Sequence, residues 1–371
     1  MKQIRILQYI GSLNIGGSQT MIMELYRNID KKKIQFDFII DKEEKYFQKE
    51  IESLGGKVYV LPNYNGKNHF LYTRAWDDFF ENHKEYKIIH SHVRSTAAIV
   101  LKIAKKYGLI TISHSHSTSN GKGISSVIKK IYQYKIRYIA NYFIGCSKES
   151  CIWLFGKKVA DSNKCFVLNN SINTEKFLYN SNIRNTIRKK YHLEDKFIIG
   201  TVGRFVESKN HKFILEIFNE IQKNNKEAFL LLIGDESSLK CEIQNKIKDL
   251  NLEDKVLILT NRSDVNEFLQ VMDVFVMPSI YEGLPVTLIE AQAASLPIVM
   301  SDTITDEVII TNLITKLSLE DDIKIWVQNI LKYKNFKRYN TKKEIQASGY
   351  DISKNVNWLT EFYMKLGDKN V

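Results

Sequence analysis

The chain lacks several things that would each have pointed to a function class. None of its apolar runs approaches the 18–20 residues that a membrane-spanning helix needs. Met1–Ile10 is short and is broken by Arg5 and Gln8, so it is not read as a signal peptide. The four cysteines (Cys146, Cys151, Cys165, Cys241) form no C-x-x-C pair and no zinc spacing. They read as reduced thiols of a cytosolic protein. The glycine pattern G-x-G-x-x-G is also missing, which argues against a dinucleotide site of the nicotinamide kind.

Acidic residues are missing from one long stretch. Between Tyr86 and Lys148 there is no Asp or Glu, against eleven Lys and Arg. The whole chain of 371 residues carries a net charge of +12. Such a field attracts phosphorylated ligands, anionic lipid or nucleic acid. Hydrophobic content of 44% and charged content of 26% are those of a globular protein, and the length suits two domains.

What is present is an alternation of apolar strands and helices, the mark of parallel sheets wound on both faces. A first strand, 4–10, runs into Gly11–Gln19 with Gly16 and Gly17, and a helix follows at 20–28. Backbone N–H groups in such a loop can approach an anion, and a helix N-terminus favours one. Asp41, ending the second strand (36–40), stands where a dinucleotide fold keeps its ribose acid, but without the glycine pattern. Strands at 57–61, 88–90 and 109–113 follow, with helices at 70–83 and 95–107. Two histidine pairs, His90/His92 and His114/His116, fall at strand ends, the edge where α/β sheets bind ligands. No third ligand type gathers near them, so zinc is not expected.

A helix over 124–138 places Ile124, Val127, Ile128, Ile131, Tyr134 and Tyr138 on one stripe. Lys129, Lys130 and Arg137 fall opposite, and Lys135 within the stripe. The helix can pack its stripe on the core, or it can lie against an anionic membrane through 122–138. Strands at 142–146 and 165–168 close the first series. Residues 173–196 are polar and read as a connector.

A second α/β series begins at Phe197. Its first strand, 197–202, ends in Gly203-Arg204, with Lys209 in the same loop. Asp264 is expected to cap a helix over 264–272. The strand 274–277 leads into Pro278-Ser279-Ile280-Tyr281-Glu282-Gly283-Leu284-Pro285, then a helix carrying Glu290. Pro285 suits the first helical position. After a strand at 297–301 only helices are expected. A cation pair suits a diphosphate, with Arg as a fork and Lys as a point charge. Carboxylates at Glu282 and Glu290 suit a sugar and a ribose diol, and the Gly283 and Leu284 amides suit phosphate or sugar oxygens. Together these groups fit a nucleotide-diphospho-sugar.

The G-R-x-x-x-x-K run (Gly203 to Lys209) and P-S-x-x-E-G-x-P-x-x-x-x-E (Pro278 to Glu290) resemble family 4 retaining glycosyltransferases. The Gly-Gly loop, the strand-end histidines and L-N-N-S-I-N-x-x-x-F (Leu168 to Phe177) stand in the family's order. The resemblance spans nearly the whole chain. The run from Ala291 to Asp302 is similar to bacterial capsular and exopolysaccharide enzymes. Asn170-Ser171 departs from the family's customary Asn-Gly, and Ser295 stands where Gly is common.

The resemblance implies the GT-B fold: two doubly wound Rossmann-like α/β domains facing each other across a cleft. The implied bounds are an acceptor-binding domain at 1–175, a linker at 176–196 and a nucleotide-sugar domain at 197–355. A last helix at 356–371 would pack back on the first domain. The implied activity is retaining transfer of a hexosyl or N-acetylhexosaminyl group from a UDP-sugar to a lipid-linked glycan in bacterial surface polysaccharide synthesis. Arg204 and Lys209 would hold the diphosphate, Glu290 the ribose and Glu282 the transferred sugar. Gly16 and Gly17 would let the first loop close on phosphate. One histidine would sit beside the anomeric carbon, His116 being favoured over His114. No metal and no cofactor are implied, and the chain has no D-x-D tripeptide. A UDP-sugar epimerase or phosphorylase of the same fold, and a non-catalytic polyanion-binding scaffold, are the alternatives. Nucleic acid is not expected as a partner, and the implied location is cytoplasmic, peripheral on the inner face of the membrane.

Overall fold

The structure, a computed structural model, describes residues 3–14, 16–43, 46–117 and 124–368. Side chains of 124–128 lie outside the described set. The chain divides into two compact units, Met1–Ser171 with Ile352–Val371, and Ile172–Asp351.

The first unit holds seven strands: β1 (Ile4–Tyr9), β2 (Ile34–Ile40), β3 (Val58–Val60), β4 (Ile88–Ser91), β5 (Ile110–Ser115), β6 (Tyr142–Gly145) and β7 (Cys165–Val167). They form one sheet in the order β3-β2-β1-β4-β5-β6-β7, every pair parallel. The second unit holds β8 (Phe197–Val202), β9 (Ala228–Gly234), β10 (Val256–Thr260), β11 (Val274–Met277), β12 (Ile298–Ser301) and β13 (Ile314–Leu317). Their order is β10-β9-β8-β11-β12-β13, again parallel. β2, β8, β11 and β12 are buried throughout, as strands covered by helices on both faces must be. Each order reverses at one point, between β1 and β4 and between β8 and β11. The loops after those strands open into the crevice where doubly wound sheets bind ligands.

Several elements differ from the sequence reading. β5 runs two residues further than expected, so His114 lies inside the strand and not at its end. β4 runs one residue further than expected, to Ser91. β13 was not expected; its four residues (ITKL) are only half-buried and carry no strong pattern. Pro285 is the N-cap and the helix begins at Val286. Asp264 occupies its N-cap position without bonding the helix, because its carboxylate takes the Arg262 guanidinium at 2.8 Å.

The expected linker, 176–196, is packed structure. Its helix, Ser181–Lys190, docks on the helix Val265–Val271 through charge. Arg184 donates to the carbonyls of Gln270, Val271 and Met272 at 2.9–3.0 Å. Arg184 and Arg188 both pair with Asp273, at 2.5 and 2.7 Å. Arginine forks hold this helix together with a short apolar edge of Ile183, Ile187 and Tyr191, too brief for periodicity to single out.

The last helix, Ile352–Asp368, belongs to the first unit and starts four residues earlier than read. Leu359, Phe362, Tyr363 and Leu366 join the core that contains β1 and β2. Asn355 donates to the Asn169 carbonyl at 2.7 Å and to Ser171 Oγ at 2.9 Å. The serine standing in place of glycine therefore has an internal use. All four cysteines are free thiols. Among the described residues no helix is long and apolar enough to cross a membrane.

Candidate active site

In the second unit, the loops after β8 and β11 meet at the reversal of strand order. Lys209 ends the short turn Glu207–Lys209, and Glu282 lies in the loop ahead of the helix Val286–Ala293. Lys209 Nζ stands 2.7 Å from Glu282 Oε1, with the two side chains 18% and 12% exposed. Ser279 Oγ donates to the same oxygen at 2.6 Å. The Ile280 N–H donates to the Ser208 carbonyl at 2.8 Å and locks the loops together. A side chain at 203 would come within 3.0 Å of Lys209 Cε, so Gly203 gives the lysine its path across the loop.

Arg204 leaves the same loop exposed to solvent. The loop around it is fixed from both sides. Asp235 Oδ1 accepts from the Phe205 N–H at 2.9 Å, and Ser237 Oγ donates to the Phe205 carbonyl at 2.8 Å. Phe205 is buried, and a Cβ at Gly234 would sit 2.7 Å from its ring. Glu290 lies half-buried more than one turn into its helix. A Cβ placed at Gly283 would meet nothing within 4 Å, and the residue is not in the left-handed region. The fold itself therefore does not require glycine there, and a closely approaching ligand would.

In the first unit, Gly16 is extended at φ −169°, and Gly17 is the first residue of the helix Gly17–Asn28. Nothing lies within 4 Å of a Cβ placed at Gly17. These glycines are not forced by a left-handed turn. Asp41 is turned toward Tyr9, whose hydroxyl is 3.3 Å from it.

The two histidine pairs come together, which the sequence did not reveal. His90 pairs with Gln8 across β1 and β4. His90 and His114 stack at 5.3 Å, and His114 and His116 at 4.0 Å. His90 and His114 are 2% and 1% exposed. His92 and His116, which follow their strands, keep some exposure.

A hydrogen-bond chain sets the protons. Gln8 Nε2 donates to Tyr363 OH at 3.3 Å, which leaves Gln8 Oε1 to accept from His92 Nε2 at 2.8 Å. A neutral His92 then accepts at Nδ1, 2.8 Å from His116 Nε2. His116 is the donor in that contact, and its Nδ1 carries the lone pair. Burial first, and the neighbouring Arg94 next, push His116 down to about 3. Burial, then His116, pushes His90 down to about 3, and burial lowers His92 and His114 as well. All four rings are neutral at physiological pH. Arg94, not singled out in the sequence, lies in the loop after β4; its place two residues beyond His92 was the available signal.

His90, His92 and His114 bring ring nitrogens within 4.8 Å of one another, enough to ask whether they hold a metal. The arrangement does not suit one. The rings stack rather than converge, and both nitrogens of His92 already serve His116 and Gln8. Among the described residues His90 Nε2 and both nitrogens of His114 are buried without a hydrogen-bond partner. They border a small cavity that also touches Tyr363, and a buried water suits such a place.

The basic helix is not the continuous element expected over 124–138. It breaks at Lys135 into Ile124–Tyr134 and Ile136–Ile139. Residues 122 and 123, and the side chains of Ile124, Val127 and Ile128, lie outside the described set. The rest of the stripe faces outward: Ile131, Tyr134 and Tyr138 are 62%, 52% and 71% exposed. Gln133 and Ile136 face the core instead. Lys129, Lys130 and Lys135 are exposed. Arg137 does not join them: its guanidinium lies 4.2 Å from the Tyr134 ring centre and packs against Gly156.

Two parallel α/β units, with Lys209 and Glu282 brought together at one strand-order reversal, are what the glycosyltransferase resemblance leads one to expect, and comparison with known proteins agrees. Residues 15–176 match Glycosyltransferase Family 4, and residues 183–358 match Glycosyl transferases group 1. EpsF of Bacillus subtilis, a glycosyltransferase by name, is 32% identical over 371 residues, covering 97% of this chain and 96% of EpsF. The UDP-Gal:alpha-D-GlcNAc-diphosphoundecaprenol alpha-1,3-galactosyltransferase of Escherichia coli is 25% identical over 302 residues, 76% of each chain. A solved glycosyltransferase from Rickettsia africae superposes with a TM-score of 0.79 at 19% identity, over 99% of both chains. HepE of Anabaena, solved with UDP and glucose, gives 0.77 at 15% identity, over 98% of this chain and 100% of its own. The chain belongs to the family 4 glycosyltransferases and has their GT-B fold.

Proposed function

We propose that this enzyme moves a hexosyl or N-acetylhexosaminyl group from a UDP-sugar to a lipid-linked saccharide, with retention, in bacterial surface polysaccharide synthesis. The observation that carries the donor side is the Lys209–Glu282 pair at the reversal between β8 and β11. Lys209 and Arg204 take the diphosphate and stabilise it as it leaves. Glu282 takes hydroxyls of the transferred sugar, Glu290 the ribose, and the Gly283 and Leu284 amides the remaining oxygens. Gly16 and Gly17 take phosphate from the first unit, and His116 serves the anomeric side. The acceptor hydroxyl attacks on the face the diphosphate leaves, and the departing phosphate helps take its proton. The protein contributes position and fixed charge, not a covalent nucleophile. No metal is assigned a role, since Arg204 and Lys209 supply the positive charge.

Support for a UDP donor and an undecaprenol-linked acceptor comes from what the Escherichia coli relative and the HepE complex are named for. The test is incubation of UDP-sugars with a polyprenyl-diphospho-saccharide, with the anomeric configuration of the product read by NMR. Retained configuration supports the reading, and an inverted product overturns the mechanism. Conversion of a UDP-sugar without acceptor would point to an epimerase. Tight, salt-sensitive binding to nucleic acid without transfer would point to the scaffold alternative.

The acceptor's lipid brings the enzyme to a membrane, and we assign that contact to the outward face over 129–138. Exposed Tyr134 and Tyr138 beside Lys129, Lys130 and Lys135 combine an aromatic belt with positive charge. Phe70 and Leu71, 73% and 65% exposed, extend this apolar surface. They begin the helix His69–Asn82, which adjoins Tyr132 through Tyr64. Charge reversal at Lys129, Lys130 and Lys135 should lower co-sedimentation with anionic vesicles at least tenfold, at roughly 1 kcal/mol per lost cation. Arg137→Ala should instead lower the melting temperature. Unchanged sedimentation in the triple variant would mean that this face does not meet the membrane.

A further inference from the structure

We infer that Ser279, held from behind by Ser301 and Thr303, is a positioning residue that divides the two oxygens of Glu282 between the protein and the donor sugar. The inference rests on the reading of Glu282 as the sugar-facing carboxylate.

Glu282 Oε1 is occupied twice, by Ser279 Oγ at 2.6 Å and Lys209 Nζ at 2.7 Å. Among the described residues Oε2 has no such partner. A carboxylate has lone pairs on both oxygens, so the second remains for an incoming hydroxyl. Ser279 is fully buried, as is Ser301. Ser301 Oγ and Thr303 Oγ1 each lie 2.6 Å from the Ser279 carbonyl oxygen, whose two lone pairs accept both. These hydroxyls come from the end of β12 and the loop beyond it.

The peptide group joining residues 279 and 280 is therefore fixed on two sides. Its carbonyl is held by Ser301 and Thr303, and its N–H donates to the Ser208 carbonyl, next to Lys209. One planar unit thus sets the phosphate-side lysine and the sugar-side glutamate in a common register. Rotation of that plane would move both. Three strand ends, β8, β11 and β12, meet at this unit, so the site is carried on rigid sheet and not on loop alone.

The carboxylate is also held in place before the donor arrives. Lys209 keeps Glu282 turned inward without donor present, so little rearrangement is needed when the sugar binds. When the diphosphate binds, Lys209 has further N–H donors to offer it while keeping Glu282.

The test compares Ser279→Ala, Ser279→Thr, Ser301→Ala and Thr303→Ala with the wild type in binding and turnover. Affinities are measured by calorimetry for UDP alone and for UDP-glucose, UDP-galactose and the two UDP-N-acetylhexosamines. For the donor that binds best to wild type, Ser279→Ala should weaken binding of the sugar nucleotide about 10-fold, and that of UDP less than twofold, by loss of a hydrogen bond to a charged group. Turnover should fall about 10–100-fold, with a melting temperature lower by no more than a few degrees. Ser279→Thr, which keeps the hydroxyl, should recover most of it. Ser301→Ala and Thr303→Ala should each fall severalfold in the same pattern. Equal loss of UDP and UDP-sugar affinity, or wild-type binding and turnover in Ser279→Ala, would overturn the inference. If Ser279→Ala does not fold, the Ser301 and Thr303 variants decide by the same comparison. Glu282→Gln separates the two claims. An inactive Glu282→Gln beside a fully active Ser279→Ala sinks only the positioning role. A fully active Glu282→Gln sinks the underlying reading.

Discussion

Lys209→Ala is expected to reduce transfer by about 10²–10³-fold, and Glu290→Ala by a similar factor, while each variant keeps its fold. For Lys209 the magnitude follows from removing a fixed group that would meet charge developing in the transition state, and for Glu290 from losing a carboxylate that would hold the donor's ribose hydroxyls. Under the proposed function Lys209 contributes twice, as a ligand of the diphosphate and as the cation that the structure places 2.7 Å from Glu282. Its removal leaves Glu282 largely buried, with Ser279 as its remaining partner among the described residues. The melting temperature should therefore drop by a few degrees in Lys209→Ala. In Glu290→Ala the loss should fall on donor binding, so a raised KM with UDP-sugar is the sign to look for. Wild-type turnover in both variants would remove these residues from the active site. A loss confined to stability would do the same.

Acid is expected to destabilise the first unit well before general acid unfolding. His90 and His114 are neutral and buried in the fold, whereas in the unfolded chain they titrate near 6.5. The unfolded state therefore binds more protons once pH drops below that value, and stability falls with pH. His90 keeps its neutral form down to about 3, so the loss continues across the window from 6.5 to 3. His90 removes about 1.4 kcal/mol per pH unit in that window, and His114 acts in the same direction. From His90 alone the melting temperature of the unit should fall by roughly 3–6 °C between pH 7.0 and 5.5, and His114 adds to the fall. His114→Phe, similar in size and uncharged, should flatten that dependence. A melting temperature constant between pH 7.0 and 5.5 would mean that the buried rings do not resist protonation.

The sheets were legible because parallel strands covered on both faces are continuous apolar runs, as in FIIGTV of β8 and VFVM of β11. The pairing of Lys209 with Glu282 could be anticipated as a common neighbourhood, since both follow strands that open on one crevice. The hydroxyls behind Glu282 could not be. Ser301 and Thr303 lie far along the chain and become neighbours of Ser279 only through the pairing of β11 with β12. The histidines illustrate the same limit. His114 and Ser115 look like a polar strand end, yet they continue β5, where the His114 ring stacks on His90 of β4. Charge also hid the helix Ser181–Lys190, which is held by Asp273 and backbone carbonyls beside a short apolar edge of Ile183 and Ile187.

The basic element over 124–138 was half legible. Its composition was clear, but which side faced outward was not. Gln133 and Ile136 take the core positions, and the break at Lys135 turns the following residues. Tyr134 and Tyr138 are left outside with the lysines.

The proposed function stands or falls with a uridine-diphosphate site at the strand ends of the second unit, built on Arg204, Lys209, Glu282 and Glu290. The deciding measurement is ligand-dependent melting of the wild type with UDP, GDP and ADP, repeated on Glu290→Ala and Lys209→Ala. A ligand that binds only the folded chain raises its melting temperature by mass action, by about 2.7 kcal/mol of stability at a hundredfold excess over Kd. The expected result is a rise of several degrees with UDP in the wild type, a smaller rise with GDP and ADP, and no rise with UDP in either variant. An equal rise with UDP in all three proteins would contradict the assignment.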